Sequence, residues 1–308
     1  MKLERKGEWC ELVVPSRWQG KAVQDVFREE FQLSKKLIHE FRMEKRVQVN
    51  GEVANWTKPL QKEDSLYIQL FVEEEYGVEP EYGELEVLFE DDHVLIVYKQ
   101  AGMDTHPNED GQGGTLANLV AGYYVSNGIQ TKVRHIHRLD KDTTGAVIFA
   151  KHAMAGVIMD RLLAERHIRR HYAAVVHGLV KKKKDTIHAS IGRDRHHATR
   201  RRVSPNGQEA ITYYEVLQTF PKEGTTLVSL QLQTGRTHQI RVHMSYLGHP
   251  LLGDTLYGGK TTVLKRQALH AYKVLMKHPM TNERIIAYAP FPEDLAAYSQ
   301  YIGELNKG

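Results

Sequence analysis

An acidic, aperiodic stretch divides this sequence and limits what it can fold into. From residue 71 to residue 92 there are ten aspartates and glutamates and no lysine or arginine. Between Val72 and Gly83 apolar residues recur with neither a helical nor a strand period, and Gly77, Pro80 and Gly83 punctuate the run. Such a segment buries too little to join a core. A linker over residues 72–84 is therefore expected, with a small folding unit over residues 1–71 and a larger one over residues 85–308. A chain of 308 residues that is 41% hydrophobic can fill both.

Charge differs on the two sides of the break. Residues 1–70 are nearly balanced, with 13 basic against 11 acidic side chains, whereas residues 93–308 carry 29 against 17. The net +4 thus hides a strongly basic larger unit. Nine basic residues between Lys181 and Arg202 face only Asp185 and Asp194, which points to a polyanionic partner. Lys181 to Lys184 read as a solvated loop. Arg193, Arg195, Arg200, Arg201 and Arg202 are the better phosphate ligands, because the planar guanidinium forks onto phosphate oxygens. No apolar run approaches the ~20 residues that cross a bilayer, and the start, Met1 to Lys6, lacks the apolar core of a secretion signal. Cys10 is the only cysteine, so neither an internal disulfide nor a cysteine metal cage can form. A cytoplasmic protein away from membranes is expected.

The small unit reads as two helices and a hairpin. Val23, Val26 and Phe27 recur at helical spacing, and Ser34 caps a second helix whose buried stripe is Leu37, Ile38 and Phe41. Lys35, His39, Arg42 and Arg46 follow at three- and four-residue steps beside Lys36, giving that helix a basic face. Val47 and Val49 then alternate into Asn50-Gly51, a hairpin turn signal. The bland alternative is an ordinary helix with a solvated basic side.

In the larger unit, strand-like runs at Leu85–Phe89, Val94–Tyr98, Ala146–Ala150, Tyr172–Val176, Ile211–Val216 and Leu227–Leu232 mix with helical periodicity at Met154 to Leu162 and Ile240 to Leu247. The order lacks strict βαβ alternation and no glycine-rich phosphate loop occurs. An α+β fold around a largely antiparallel sheet flanked by helices is predicted.

Two segments concentrate chemistry. His137-Arg138-Leu139-Asp140-Lys141-Asp142-Thr143-Thr144-Gly145 places carboxylates, cations and hydroxyls in a loop before a strand. That suits a carboxylate nucleophile or base, and equally a turn whose side chains cap their own backbone. Thr234 to His243 runs from the end of a strand into a helix expected to begin near Thr237, with Arg236 and Arg241 adding charge where a helix start already favours anions.

Together these motifs resemble the RluA-type family of pseudouridine synthases. The resemblance runs from about Leu85 to Pro292. It includes His137 to Gly145, Gly235 to His243, Gly248 to Asp254, Tyr257-Gly258, Gln267 to Ala271 and His278-Pro279. Gln100 stands where the family usually has proline, and Gln208-Glu209 where it often has Lys-Pro. The small unit resembles the alpha-L type RNA-binding domain of ribosomal and RNA-modifying proteins.

The resemblance implies an isomerase that acts on uridine in structured RNA without a cofactor or metal. It implies Asp140 as the attacking carboxylate, at C1′ of the ribose or C6 of the base, with Arg241 pairing it. Tyr172 is implied as the ring that stacks on the base, and Arg138 as the residue that helps extrude it. Lys35, Lys36, His39, Arg42, Arg46, Arg193, Arg195, Arg200, Arg201, Arg202 and Arg236 are the expected RNA-binding residues. Large-subunit ribosomal RNA is the favoured substrate, with transfer RNA the alternative. Two rival readings are a metal hydrolase using His135, His137 and Asp140, and an RNA-binding protein that has lost its activity.

Overall fold

A computed structural model describes residues 3–302; Met1, Lys2 and residues 303–308, the extreme ends of the two expected units, lie outside the described residues. In the N-terminal part, the Val23 periodicity becomes a helix over Val23–Asp25 that continues as a wider turn to Glu30. Ser34 caps the helix Lys35–Met43 by accepting the Leu37 amide at 3.3 Å. Asn50 and Gly51 both take positive φ, 53° and 84°, and join Val47–Val49 to Glu52–Val53 in a tight hairpin. Three further strands, Leu3–Lys6, Trp9–Val13 and Ser65–Gln69, complete a five-stranded sheet. Helices and sheet enclose Trp18, Val23, Phe27, Phe41, Leu66 and Ile68.

Residues 72–84 form no helix or strand, yet they do not hang free. The Glu74 carboxylate pairs with Arg134, the Val133 amide donates to Tyr76 O at 2.9 Å, and the Glu81 amide donates to Asn118 O at 3.0 Å. The segment is a strap laid along the rest of the chain.

Beyond it the fold is mixed α+β, organised by a ten-stranded sheet. Its spatial order is Lys184–His188, Ile211–Phe220, Thr225–Leu232, Arg169–His177, Leu269–Lys277, Thr144–Ala150, Val94–Lys99 and Val87–Glu90; Arg284–Tyr288 and Arg134–His135 pair at the side. All neighbours run antiparallel except Thr144–Ala150 beside Leu269–Lys277. The strand Thr144–Ala150 is buried at every position because both faces are covered. Val147 and Phe149 join a core with the helix Leu116–Ser126, and Ala146, Ile148 and Ala150 join another with the helix Ala153–Ala164. No helix among the described residues is long and apolar enough to cross a membrane.

Candidate active site

The loop His137–Thr143 enters the strand Thr144–Ala150 at the parallel junction and is clamped from outside. Thr105 Oγ1 donates to Leu139 O and accepts the Leu139 amide, both at 3.0 Å. Lys99 is fully buried and donates its ammonium to the carbonyls of Gln100, Met103 and Lys141 at 2.9, 2.7 and 2.8 Å. Burial pushes the Lys99 pKa down to about 8, against the pull of the Asp142, Asp140 and Asp104 carboxylates. Arg266 Nη1 donates to Asp142 O at 3.0 Å while its fork is seated on Asp294. At the loop's exit Gly145 has φ +124°, and a Cβ there would stand 2.2 Å from Ala271 O, so only glycine fits.

These restraints aim Asp140 at Arg241. Arg241 Nη1 donates to Asp140 Oδ2 at 3.0 Å, and its Nε and Nη2 fork onto Asp254 at 2.7 and 2.9 Å. Arg241 and Asp254 are both buried, and the Tyr257 ring lies 5.1 Å from the guanidinium. Burial opposes the arginine's charge, but the Asp254 and Asp140 carboxylates outweigh it and raise its pKa above the ordinary value. The site therefore holds one permanent cation between two carboxylates.

His238 precedes the helix Gln239–Tyr246 in the left-handed conformation, with φ 57°. The helix starts two residues later than the sequence suggests, because this left-handed turn intervenes after Thr237. His238 Nε2 lies 3.9 Å from Asp140 Oδ2, and its Nδ1 lies 2.9 Å from the Tyr257 hydroxyl. That hydroxyl also accepts the Arg201 amide at 2.9 Å, which ties the Tyr257 and His238 side chains to the Ile191–Val203 hairpin. Burial lowers the His238 pKa, and the Asp140 carboxylate works against that shift.

Tyr172 forms the facing wall. It sits at a bulge in the pairing of Arg169–His177 with Leu269–Lys277, where the register shifts between His171 and Ala173. It is buried, and burial raises its pKa; the Arg170 cation opposes that shift and Asp140 adds to it. Arg138, Leu139, Asp140, Arg170, Tyr172 and the Gly235–Arg241 turn line a narrow, open cavity of about 90 Å³.

The sequence model of the RNA pseudouridylate synthase family matches residues 93–246, and that of the RluD ribosomal pseudouridine synthase N-terminal domain matches residues 10–66. A Bacillus subtilis protein, named uncharacterized RNA pseudouridine synthase YhcT, is 49% identical over 95% of this chain and 97% of its own length. Ribosomal large subunit pseudouridine synthase D of Vibrio parahaemolyticus is 35% identical over 91% of this chain and 89% of its own. Among solved structures, human RNA pseudouridylate synthase domain containing 1 gives a TM-score of 0.57 at 28% identity, covering 69% of this chain and 86% of that one. The chain belongs to the RNA pseudouridylate synthase family.

The synthase presents its basic residues unevenly. Lys35, Lys36, His39 and Arg42 are exposed along the helix Lys35–Met43, opposite Leu37 and Phe41. Arg46 does not join them. It lies past the helix end and is buried, donating Nε and Nη2 to Gln69 O at 3.2 and 2.9 Å and pairing with Glu40 and Glu44. Arg193, Arg195 and Arg202 are exposed at the hairpin formed by Ile191–Arg193 and Arg201–Val203, whereas Arg200 is held on Asp194 at 2.7 Å. Arg193, Arg201 and Arg236 line a second cleft that shares Arg236 and Thr237 with the first cavity. Arg138 is exposed at the cavity rim. His135 packs against His106 with ring centroids 4.5 Å apart, and among the described residues it does not gather with His137 and Asp140 into a metal-holding group.

Sequence reasoning assigned no role to Lys99, Thr105, Asp254, Tyr257 or His238. They meet through space, Lys99 from the end of a strand, Thr105 from a loop, His238 from the turn before a helix, and Asp254 and Tyr257 from one short turn, so no single period marks them. Arg170 is different: it stands two residues before Tyr172 on a strand, and the period of two puts both on one face.

Proposed function

We propose that the synthase isomerises specific uridines of large-subunit ribosomal RNA, with Asp140 as the attacking group. The observation that carries the chemistry is the Arg241 guanidinium, which bridges Asp140 and Asp254 at a cavity walled by Tyr172. The reaction breaks the N1–C1′ bond, turns the uracil in place, joins C5 to C1′, and passes the C5 proton to solvent while N1 gains one. Electrons and atoms balance, so no cofactor is required. Arg241 orients the Asp140 carboxylate and holds its charge, whether attack falls at C1′ or at C6. Tyr172 supplies a ring for the base to stack on, and its hydroxyl relays the C5 proton, accepting it on oxygen as its own proton passes on to solvent. A paired uridine is unreachable until it leaves its stack, and Arg138 at the rim fills the space it vacates.

In this reading residues 1–71 form an RNA-binding unit, residues 72–84 a connecting strap and residues 85–308 the catalytic unit, all working in the cytoplasm. Lys35, Lys36, His39 and Arg42 on one unit, and Arg193, Arg195, Arg200, Arg201, Arg202 and Arg236 on the other, hold phosphates on either side of the target. The match of residues 10–66 to a ribosomal synthase domain, and the ribosomal substrate in the names of several relatives, favour ribosomal over transfer RNA. The test maps pseudouridines in total RNA from cells with and without the gene, and with Asp140→Asn. Loss of specific large-subunit sites in both mutants is expected, while purified Asp140→Asn still binds that RNA. Sites lost from transfer RNA alone overturn the substrate assignment, and full modification by Asp140→Asn overturns the chemistry.

A further inference from the structure

Three arginines are buried among the described residues, and two of them are fully accounted for. Arg46 meets Glu40 and Glu44, and Arg241 meets Asp140 and Asp254. Arg170 is 9% exposed, and among the described residues it pairs with no carboxylate. Its Nε is enclosed without an acceptor. The guanidinium lines the same cavity as Asp140 and Tyr172.

Tyr172, whose hydroxyl interacts with the Arg170 guanidinium, is a neutral partner and supplies no counter-charge. His137 is buried with both ring nitrogens unpartnered, and burial, reinforced by the Arg170 charge, holds its pKa well below the usual histidine value. On another side Gly235 leaves room: a Cβ there would stand 3.3 Å from Arg170 Nη2. Arginine cannot discard its proton to escape burial as a lysine can. A buried cation without a counter-charge is unfavourable, and it is retained where a ligand completes it.

We propose that Arg170 is a catalytic residue that binds the uracil carbonyl oxygens and takes up the negative charge the base acquires during the rearrangement. This rests on reading the cavity as the seat of the target uridine. If the N1–C1′ bond breaks first, its electron pair stays on the uracil and spreads over N1, O2 and O4. If a carboxylate adds at C6, the pair moves through C5 onto O4. Either route loads a carbonyl oxygen with charge until C5 closes on C1′ and consumes the pair. Arg170 transfers no proton; its fixed fork stabilises that charge in a site shielded from water and keeps the loosened base from leaving. A phosphate ligand is the less fitting partner, because the guanidinium lies buried beside the Tyr172 ring rather than along the exposed basic cleft at Arg193 and Arg201.

The experiment uses full-length Arg170→Lys and Arg170→Gln with RNA carrying uridine, 2-thiouridine or 4-thiouridine at the mapped target. RNA affinity, its salt dependence and the single-turnover rate at saturating enzyme are measured for each. Replacing a carbonyl oxygen by sulfur weakens an acceptor without moving a phosphate. Arg170→Gln is expected to lower the saturating rate at least 100-fold with affinity within about threefold and an unchanged salt slope, and Arg170→Lys to retain part of the rate. The rate penalty for sulfur at the contacted carbonyl should be large in the unmodified enzyme and nearly vanish in Arg170→Gln.

Equal sulfur penalties in both enzymes would reduce Arg170 to a packing role. Weaker binding with a shallower salt slope and an intact saturating rate would place a phosphate there instead. Asp140→Asn run alongside separates the two readings. If it turns over, the cavity itself has been misassigned; if it is inactive while Arg170→Gln is normal, only the Arg170 assignment fails.

Discussion

At the scale of single residues, the site depends on Arg241 serving two carboxylates at once. Asp254 is 1% exposed and takes both of the arginine's remaining donors, so it fixes the angle at which Nη1 meets Asp140. Asp254→Ala removes that anchor and leaves a buried guanidinium half-paired. Breaking a buried pair costs roughly 3–5 kcal/mol. Denaturant unfolding should show a loss of that order, and the surviving folded protein should turn over slowly with RNA affinity preserved. Stability within about 1 kcal/mol of the parent would mean that Asp254 anchors nothing. Much of this site was legible in the sequence. Asp140, Tyr172 and Arg241 all surround one cavity, though they come from a loop, a strand and a helix. The Asp140–Arg241 pair spans 101 positions, and no periodicity connects such residues; only the resemblance of whole motifs did. Lys99 illustrates the opposite case. It ends an apolar strand and looks like an ordinary solvated lysine, yet its ammonium turns inward onto three carbonyls.

Among elements, the strap over residues 72–84 shows what composition hides. Four of its six glutamates are exposed, but Glu74 and Glu81 satisfy cationic and backbone groups one at a time, a pattern that carries no period. Glu81 is the clearest instance, since its carboxylate accepts the Gly114 amide at 2.9 and 3.0 Å and its backbone crosses the helix Leu116–Ser126. A Cβ on Gly122 of that helix would stand 2.0 Å from Glu81 O. Gly122→Ala should therefore lift the strap rather than strengthen the helix, although alanine is the better helix former by about 1 kcal/mol. Overpacking of this kind costs about 1–3 kcal/mol, and proteolysis within residues 72–84 should quicken. An unchanged melting temperature and cleavage rate would show that the strap does not need the close approach. The helix Leu116–Ser126 itself escaped sequence reading because it is buried nearly all round and so has no polar face to mark its turns. The strand Leu269–Lys277 was equally obscure. His270 and Lys273 interrupt its apolar run, yet both are buried, His270 at 2.9 Å from Thr144 Oγ1.

Over the whole molecule, the two parts of the chain share a core and a histidine cluster. Met154, Ile158 and Met280 pack in the same apolar cluster as Trp18 and Phe27. Beside them Phe71 packs against His93 and His152, whose rings are joined by a 2.9 Å hydrogen bond, and Arg5 covers Phe71 while pairing with Asp92. Burial drives the His93 pKa down to about 4, against Asp91 and Asp92 and with help from His278 and Lys151; His152 is shifted the same way by burial. The unfolded chain takes up these protons near pH ~6.5 and the folded one does not. Stability is thus complete above about 6.5 and falls as the pH drops toward ~4, by at most ~1.4 kcal/mol per histidine for each pH unit. Asp91, whose pKa is lowered because His278 and two amides outweigh its burial, adds the same sign only below its ordinary range. Denaturant unfolding at about pH 7.5 and about pH 5.5, on either side of the unfolded histidine's titration, reads this directly. Equal stabilities would mean that the cluster is not protected from protonation.

That shared core also decides how the N-terminal basic face must be tested. Deleting residues 1–71 would strip the cover from Met154, Ile158 and Met280, so lost activity in a truncated chain would report damage rather than a missing RNA interaction. Substituting Lys35, Lys36 and Arg42 by glutamine in the full-length synthase leaves the cluster's cover in place, because all three are exposed and only Arg42 touches it, with its guanidinium 5.2 Å from the Trp56 ring. If these side chains lie along phosphates, each charge removed should lower the slope of log affinity against log salt by roughly 0.7–0.9. Affinity at low salt should fall, and the difference should close as salt rises and screens the charges. The single-turnover rate at saturating RNA should stay near that of the parent, since no residue before Arg138 lines the cavity around Asp140 and the loop is clamped from Lys99 and Thr105, not from the N-terminal helices. Arg46→Gln serves as the internal contrast. Its guanidinium is already spent on Gln69 O, Glu40 and Glu44, so the change should cost stability while leaving the salt slope unaltered. A triple variant with the parent's slope would remove this helix from the RNA interface, and a reduced slope for Arg46→Gln would mean that Arg46 leaves its buried seat when RNA binds.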